Sequence, residues 1–387
     1  MPAPGKLLCL DTASEMAGEL LECHGGPVTA CAFGPRLAWA VSGGWDGHLL
    51  TWDPSTGHAK ARLVVGDRPI TGLAVSPDGS RIYAADMEGR LSTWNSVSLH
   101  QESMETIHAR PIGGIAVAGN GKAYATAGWD GIARVWLQQK DGEASTNLVL
   151  RGHTDLVAGC KFWPDGRWLL TWSHDGTIIL WDLKRGQVYQ AWSTDGRRIV
   201  AADIAPNANM LAAATAEGQV LLWNLHDSYH PPVRWEDGNP LKACLFSPHA
   251  LELIVVNAKG QVYCLGVPHL QPSAPPKRLG HEANCAALPV TGECLAVGGD
   301  DGVLHFLPLA QWKQCEVILT PFERIEERAV PGIWARLNKQ TKLLKVRGAN
   351  CPNCGRLLTL PGDGLLQPQS CPGCCRHLAF TPFSLAG

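Results

Sequence analysis

Four cysteines near the end of the chain have the spacing of a metal site. Cys351 and Cys354 frame Pro352-Asn353, Cys371 and Cys374 frame Pro372-Gly373, and sixteen residues separate the two pairs. A Cys-x-x-Cys turn lets two sulfurs converge on one ion, and two such turns complete a tetrahedron of thiolates. The same ligands suit zinc or iron, whereas disulfides are disfavoured in a reducing compartment. The expectation is one structural Zn²⁺ on Cys351, Cys354, Cys371 and Cys374, with Cys375 and His377 spare. A closed four-thiolate shell leaves no position for substrate or water, so it organises a fold and does not hydrolyse. Elsewhere the sequence holds no P-loop, no nucleophile elbow and no HExxH. Neither an enzyme nor a small-molecule substrate is expected, because no nucleophile, base and stabiliser can be matched.

A second constellation repeats. His24, His108 and His153 stand 22 residues before Asp46, Asp130 and Asp175, and Trp52, Trp136 and Trp181 follow these acids by six. Ser42, Thr126 and Thr171 lie four residues before the same acids. The elements that must position them recur on a fixed period. A turn glycine appears at Gly47, Gly89, Gly131, Gly176, Gly218, Gly260 and Gly302, with gaps of 42, 42, 45, 42, 42 and 42 residues. Within one period, Gly152 to Asp182, three short β-prone runs (157–162, 168–172 and 177–181) are split by Pro164-Asp165-Gly166 and His174-Asp175-Gly176. Such a unit cannot bury its own faces and needs neighbours.

With its Gly152-His153 opening, turn Asp175 and closing Trp181-Asp182, this stretch resembles a WD40 repeat. Seven units of about 42 residues imply an all-β fold, a seven-bladed WD40 β-propeller. The resemblance implies that His24, Ser42, Asp46 and Trp52 form a buried hydrogen-bonded tetrad. His108, Thr126, Asp130 and Trp136 would form a second, and His153, Thr171, Asp175 and Trp181 a third. A buried Asp needs such donors, so these histidines read as structural and not catalytic. Units two, five, six and seven lack complete sets, carrying Glu88, Glu217, Lys259 and Asp301 at the acid position, and are expected to rely on apolar packing.

The family also implies a face around a central channel, lined by the residue before each turn Asp and by those three and five after the GH histidine. The first set is Trp45, Met87, Trp129, His174, Ala216, Ala258 and Asp300; the second includes Pro27, Pro69, Pro111, Leu156, Arg198 and Pro240. Lys242 belongs to the third set. The candidate partner face is Trp45, Met87, Trp129, Leu156, His174, Arg198 and Lys242; exposed aromatic anchors of this kind dominate protein–protein contacts. The paired CPxC knuckles, in turn, resemble a small C-terminal zinc ribbon.

The expected divisions are a leader over 1–17, the propeller over 18–320, a charged linker over 321–347 and the ribbon over 348–387. Either residues 18–24 or residues 315–319 would supply the outer strand of the last blade. Around Pro331-Gly332 the linker is expected to form a short helix or extended stretch on each side. No run of 18 apolar residues occurs and the start lacks a signal-peptide core, so an intracellular, cytoplasmic protein without a membrane anchor is expected. From Arg336 onward, seven basic residues face the single acid Asp363. Removing these from totals of 33 basic and 35 acidic residues leaves 26 against 34 before that point. A basic tail therefore follows an acidic propeller, which a net charge of −2 conceals. The functional expectation is a non-catalytic scaffold or adaptor docking protein partners, with the ribbon as a second contact. The alternative is a nucleic-acid-associated factor touching RNA or DNA through the basic residues 336–376.

Overall fold

The computed structural model describes residues 23–138, 144–226 and 230–309, together with six strands between 317 and 380. The chain divides into two compact units, Met1–Leu309 and Ala310–Gly387.

Seven antiparallel sheets follow one another along the first unit, each built from consecutive strands. Blade one is Val28–Phe33, Ala40–Gly44, His48–Trp52 and Ala59–Val64. Blade two runs from Ile70–Val75 to Gln101–Thr106, blade three from Ile112–Val117 to Ala144–Arg151, and blade four from Val157–Phe162 to Gln187–Ser193. Blade five runs from Ile199–Ile204 to Val233–Glu236. Blade six begins at Leu241–Phe246, and its outer edge is split into Gln271–Pro272 and Lys277–Arg278 around the proline-rich loop. Blade seven has three strands among the described residues, Ala283–Ala287, Cys294–Gly299 and Leu304–Pro308. This is a seven-bladed β-propeller, and each blade turns on one of the periodic glycines. Gly47, Gly131 and Gly176 have φ between 74° and 79°, a region where any side chain is strained.

Burial decreases from the middle strands outward. Ala40–Gly44 is buried at every position, whereas Gln187–Ser193, an outer strand, is exposed at all but one. The cores lie between blades. One joins Val135 and Leu150 of blade three to Leu169 and Trp181 of blade four; another joins Leu170 and Ile178 of blade four to Leu211 and Trp223 of blade five. A blade with half its apolar surface on each neighbour is stable only inside the ring.

Closure of the ring can be read from one bond. In blade two the His108 N–H donates to Gly89 O at 3.1 Å, tying the end of the outer strand to its own turn. At the seam the His24 N–H donates to Gly302 O at 3.0 Å in the same way. The chain entering at His24 therefore takes the place that an outer strand of blade seven would take at that turn. Residues 315–319 are used differently, because Val317–Leu319 pairs in parallel with His377–Phe380 inside the second unit. Residues 1–22, which include most of the other candidate, lie outside the described residues.

The second unit contains two three-stranded sheets. Phe322–Ala329 and Thr341–Asn350 form an antiparallel hairpin in the register Phe322↔Gly348 to Ala329↔Thr341, extended by Leu357–Leu360. Of the short helix or extended stretch expected on each side of Pro331-Gly332, these strands are the extended form. Thr341, Leu343, Leu344 and Val346 supply β-compatible residues to the second of these strands. Cys351, Cys354, Cys371 and Cys374 themselves lie outside the described residues. Among the described residues no helix is long and apolar enough to cross a membrane.

Candidate functional site

Each repeated His-Asp set is brought together at the turn between the second and third strands of its blade. In blade four His153 Nδ1 lies 3.0 Å from Asp175 and its Nε2 lies 2.8 Å from the Thr171 hydroxyl. The Trp181 indole N–H donates to that same hydroxyl at 2.8 Å. Blade one repeats the pattern, with His24 at 3.0 Å from Asp46 and 2.7 Å from Ser42, and Trp52 donating to Ser42 at 2.7 Å. Blade three brings His108 to 3.0 Å from Asp130 and 2.8 Å from Thr126; Trp136 is buried in the same sheet. In blades one and four the hydroxyl accepts from Trp and faces one imidazole nitrogen while Asp takes the other, so the buried polar atoms of the set are satisfied.

Electrostatics follow this wiring. Burial pushes Asp46 upward, but His24 and the Gly25 and His48 N–H groups hold its carboxyl well below the usual range. Asp175 is likewise lowered against its burial by the Thr177 hydroxyl and the Thr154 and Thr177 N–H groups. His108 and His153 are lowered because burial disfavours the imidazolium more than the neighbouring acid favours it. These rings are held neutral and occupied, with no free nitrogen for a reaction.

The rim of the ring is assembled by a second repeated bond. The N–H before each turn acid donates to the residue three after the GH position: Trp45 to Pro27 O, Met87 to Pro69 O, Trp129 to Pro111 O and His174 to Leu156 O, at 2.8–3.1 Å. Ala216 to Arg198 and Ala258 to Pro240 continue it, and blade seven uses Asp300 to Glu282. Trp45, Met87, Trp129 and His174 thus take the donor position at the rim of blades one to four, and Leu156 and Arg198 the acceptor position in blades four and five. Lys242 is exposed one residue into the first strand of blade six.

Two of these residues stand out. Trp45 is 55% exposed and Trp129 36%. Trp129 reaches over the seam between blades three and four, where a side chain at Gly113 would come within 2.9 Å of its Nε1. It then lines a cleft of about 520 Å³ with Arg110, Arg151, Thr154, Asp155 and Leu156. Burial lowers the neighbouring His174 from its ordinary value.

Residues 18–53 and 145–182 match the family described as "WD domain, G-beta repeat". The chain carries WD40 repeats. The matched segments cover blade one and the end of blade three through blade four, two of the blades with complete tetrads. Part of the chain is similar to the guanine nucleotide-binding protein subunit beta-5b of Danio rerio, 31% identical over 71 residues, 18% of each chain. It is also similar to the ribosome biogenesis protein WDR12 homolog of Arabidopsis thaliana, 32% identical over 74 residues, 19% of this chain and 17% of that one. The matches span less than a fifth of either relative's length.

The remaining WD40 units combine apolar packing, with Leu73, Leu221, Leu222, Leu253 and Val255 buried, with a polar feature at the turn. In units one, three and seven the position two before the turn acid is glycine (Gly44, Gly128, Gly299), and a Cβ there would sit 2.2–2.4 Å from the GH histidine. Where that histidine is missing, a polar residue fills the position. Asp86 of unit two accepts from the Glu88 and Arg90 N–H groups and from Arg90 Nε. Thr215 of unit five accepts from Gln219 N–H at 3.1 Å. Asn257 of unit six accepts from Gln261 N–H and donates to Asp237, which the Tyr263 hydroxyl also reaches. The turn amides still require an acceptor, and a small shift along the chain supplies it.

Blade seven holds the residue that the offset of 22 passes over. His281 follows Gly280 but precedes Asp301 by only 20 residues, because its loop is shorter. A Cβ on Gly299 would lie 2.4 Å from His281 Nδ1 and 2.6 Å from Asp301, the arrangement found at Gly44. The Gly280-His281 dipeptide was the signal available in the sequence.

Proposed function

We propose that this protein is a non-catalytic scaffold or adaptor that docks a protein partner on the rim of its propeller, with Trp45 and Trp129 as anchors. WD40 propellers act in general as protein-interaction scaffolds, and the similar proteins, a G-protein β subunit and a ribosome biogenesis protein, are named for assembly roles. The observation that carries the reading is the exposure of both indoles at one rim position while their backbones are pinned to Pro27 and Pro111. Rigid, exposed aromatics lose little entropy on binding and typically contribute ~2 kcal/mol or more each at a hot spot. Beside Trp129 the cleft offers Arg110 and Arg151 as polar partners, as an interface edge requires.

The second unit is proposed to hold one structural Zn²⁺ on Cys351, Cys354, Cys371 and Cys374. Supporting this, Asn350 pairs with Leu357 and Ser370 with His377, so each CPxC pair falls between hydrogen-bonded strands. The ion would fix these four thiolates and so stabilise a module with little core of its own. Its basic residues would supply a second contact to the same assembly.

The test is a Trp45→Ala, Trp129→Ala chain compared with wild type in affinity purification, alongside its melting curve. Loss of the partner with little change in melting supports docking through the rim. Unchanged co-purification, or a large drop in stability, assigns the indoles to packing. Tail-dependent RNA or DNA binding at physiological salt would instead favour a nucleic-acid factor.

A further inference from the structure

We infer that blade seven carries a site for a divalent first-row transition metal, with His281, Asp301 and His305 as protein ligands. A ring nitrogen of each histidine and an oxygen of Asp301 all lie within 4.8 Å of one another. Zinc bonds of about 2.0–2.1 Å place ligand atoms about 3.3 Å apart, so closing the set requires the His281 ring to turn its Nε2 from the Val297 side toward Asp301 and the two stacked rings to part.

Three features separate this cluster from the tetrads of the other blades. His281 Nδ1 lies 3.0 Å from Glu282 O, and a carbonyl only accepts, so this nitrogen carries the proton. Its Nε2 is then a bare lone pair, and it is buried with no hydrogen-bond partner. In blades one, three and four a Ser or Thr hydroxyl meets that nitrogen, but the equivalent residue here is Val297. A histidine whose far N–H is held by a backbone carbonyl is the usual state of a metal ligand.

The second feature is His305. It stands four residues after the turn acid, where blades one, three and four have Leu50, Arg134 and Ile179. Its ring stacks on His281 at 4.0 Å, and its Nε2 lies 2.9 Å from Asp301 Oδ2.

The third is charge. Blade one also brings a second histidine to its turn acid, with His48 at 3.3 Å from Asp46. There, however, Arg62 lies 3.3 Å from His48 and 3.7 Å from Asp46, a cation where a metal would sit. Among the described residues, no Lys or Arg is paired with Asp301. Two imidazoles and one carboxylate with a fourth position open suit Zn²⁺, Co²⁺ or Ni²⁺. The same turn carries Gly302, which receives the His24 N–H at the closing seam, so the ion would brace the ring where the chain closes it.

The experiment counts metal in the full chain, so that zinc on the cysteines contributes equally to every sample. Wild type, His305→Phe, which keeps an aromatic ring in the stack, and Asp301→Asn are equilibrated with Zn²⁺, desalted and analysed for zinc. Wild type is expected to hold one equivalent more than either variant. Co²⁺ titration should show, beside the sulfur charge-transfer bands of the four cysteines that every sample shares, a further set of visible bands that both variants lose, with affinity falling by more than the 10–100-fold typical of outer partners. Equal metal content and identical Co²⁺ spectra in folded wild type and either variant would overturn the site.

Discussion

The tetrad of blade four makes a quantitative prediction, because its central hydroxyl serves two nitrogens at once. Thr171 is fully buried, with Trp181 Nε1 and His153 Nε2 each 2.8 Å from its oxygen. Thr171→Val preserves shape and strands both nitrogens among Leu169, Leu170 and Ile179. An unsatisfied buried donor or acceptor costs about 1–3 kcal/mol, so two cost about 2–4 kcal/mol after partial relaxation. For a propeller of this size, roughly 2 °C is lost per kcal/mol, giving a fall of about 4–8 °C. Urea denaturation followed by tryptophan fluorescence measures the loss, and Trp181→Phe in a double-mutant cycle isolates the indole's share. With Trp181 already replaced, Thr171→Val should cost about half as much. A loss under about 1 kcal/mol in the wild-type background would refute the claim that these hydroxyls hold the blades.

Blade seven offers the reverse change: in the presence of a chelator, Val297→Thr places a hydroxyl near His281 Nε2 and should gain about 0.5–1.5 kcal/mol in the same urea assay. Gly44→Ala forces a Cβ to 2.4 Å from His24 and should cost about 2–3 kcal/mol, whereas Gly119→Ala, with nothing within 4 Å, should be near neutral. Acid should destabilise the fold in two stages, read as the urea midpoint from pH 8 to pH 3. The lowered His108 and His153 make the unfolded chain bind more protons as pH falls through about 6.5, so stability drops there; the lowered Asp46 and Asp175 add a further loss below about 4. Cys351→Ser should remove one equivalent of metal while leaving the propeller's melting transition unchanged, as elemental analysis and calorimetry would show.

What was legible in the sequence is what the backbone dictates periodically. A turn glycine every 42 residues sets the number of blades, since each turn needs a left-handed residue, and the runs at 157–162, 168–172 and 177–181 match their strands to within one residue. The three tetrads were visible because loop lengths in units one, three and four are equal. A loop two residues shorter hid His281. Asp86, Thr215 and Asn257 escaped notice because they stand two residues before the turn-acid position, outside the four-residue offset that marks the tetrads. The hairpin of Phe322–Ala329 with Thr341–Asn350 was obscured by charge, which disguises a strand whose partner supplies the apolar residues. Exposure of Trp45 and Trp129 could be anticipated only through the family resemblance, since composition does not distinguish a rim indole from a core one.

The central claim is that the rim binds a partner protein, and site-specific photo-crosslinking tests it most directly. A photoreactive residue is placed at Met87, between the blades of Trp45 and Trp129, and for comparison at Tyr189, a 62% exposed residue of an outer strand. The account predicts one dominant adduct from Met87 that disappears when Trp45 and Trp129 are both alanine, and no matching adduct from Tyr189. An adduct formed equally from Tyr189, or one from Met87 that persists without the two indoles, would contradict it.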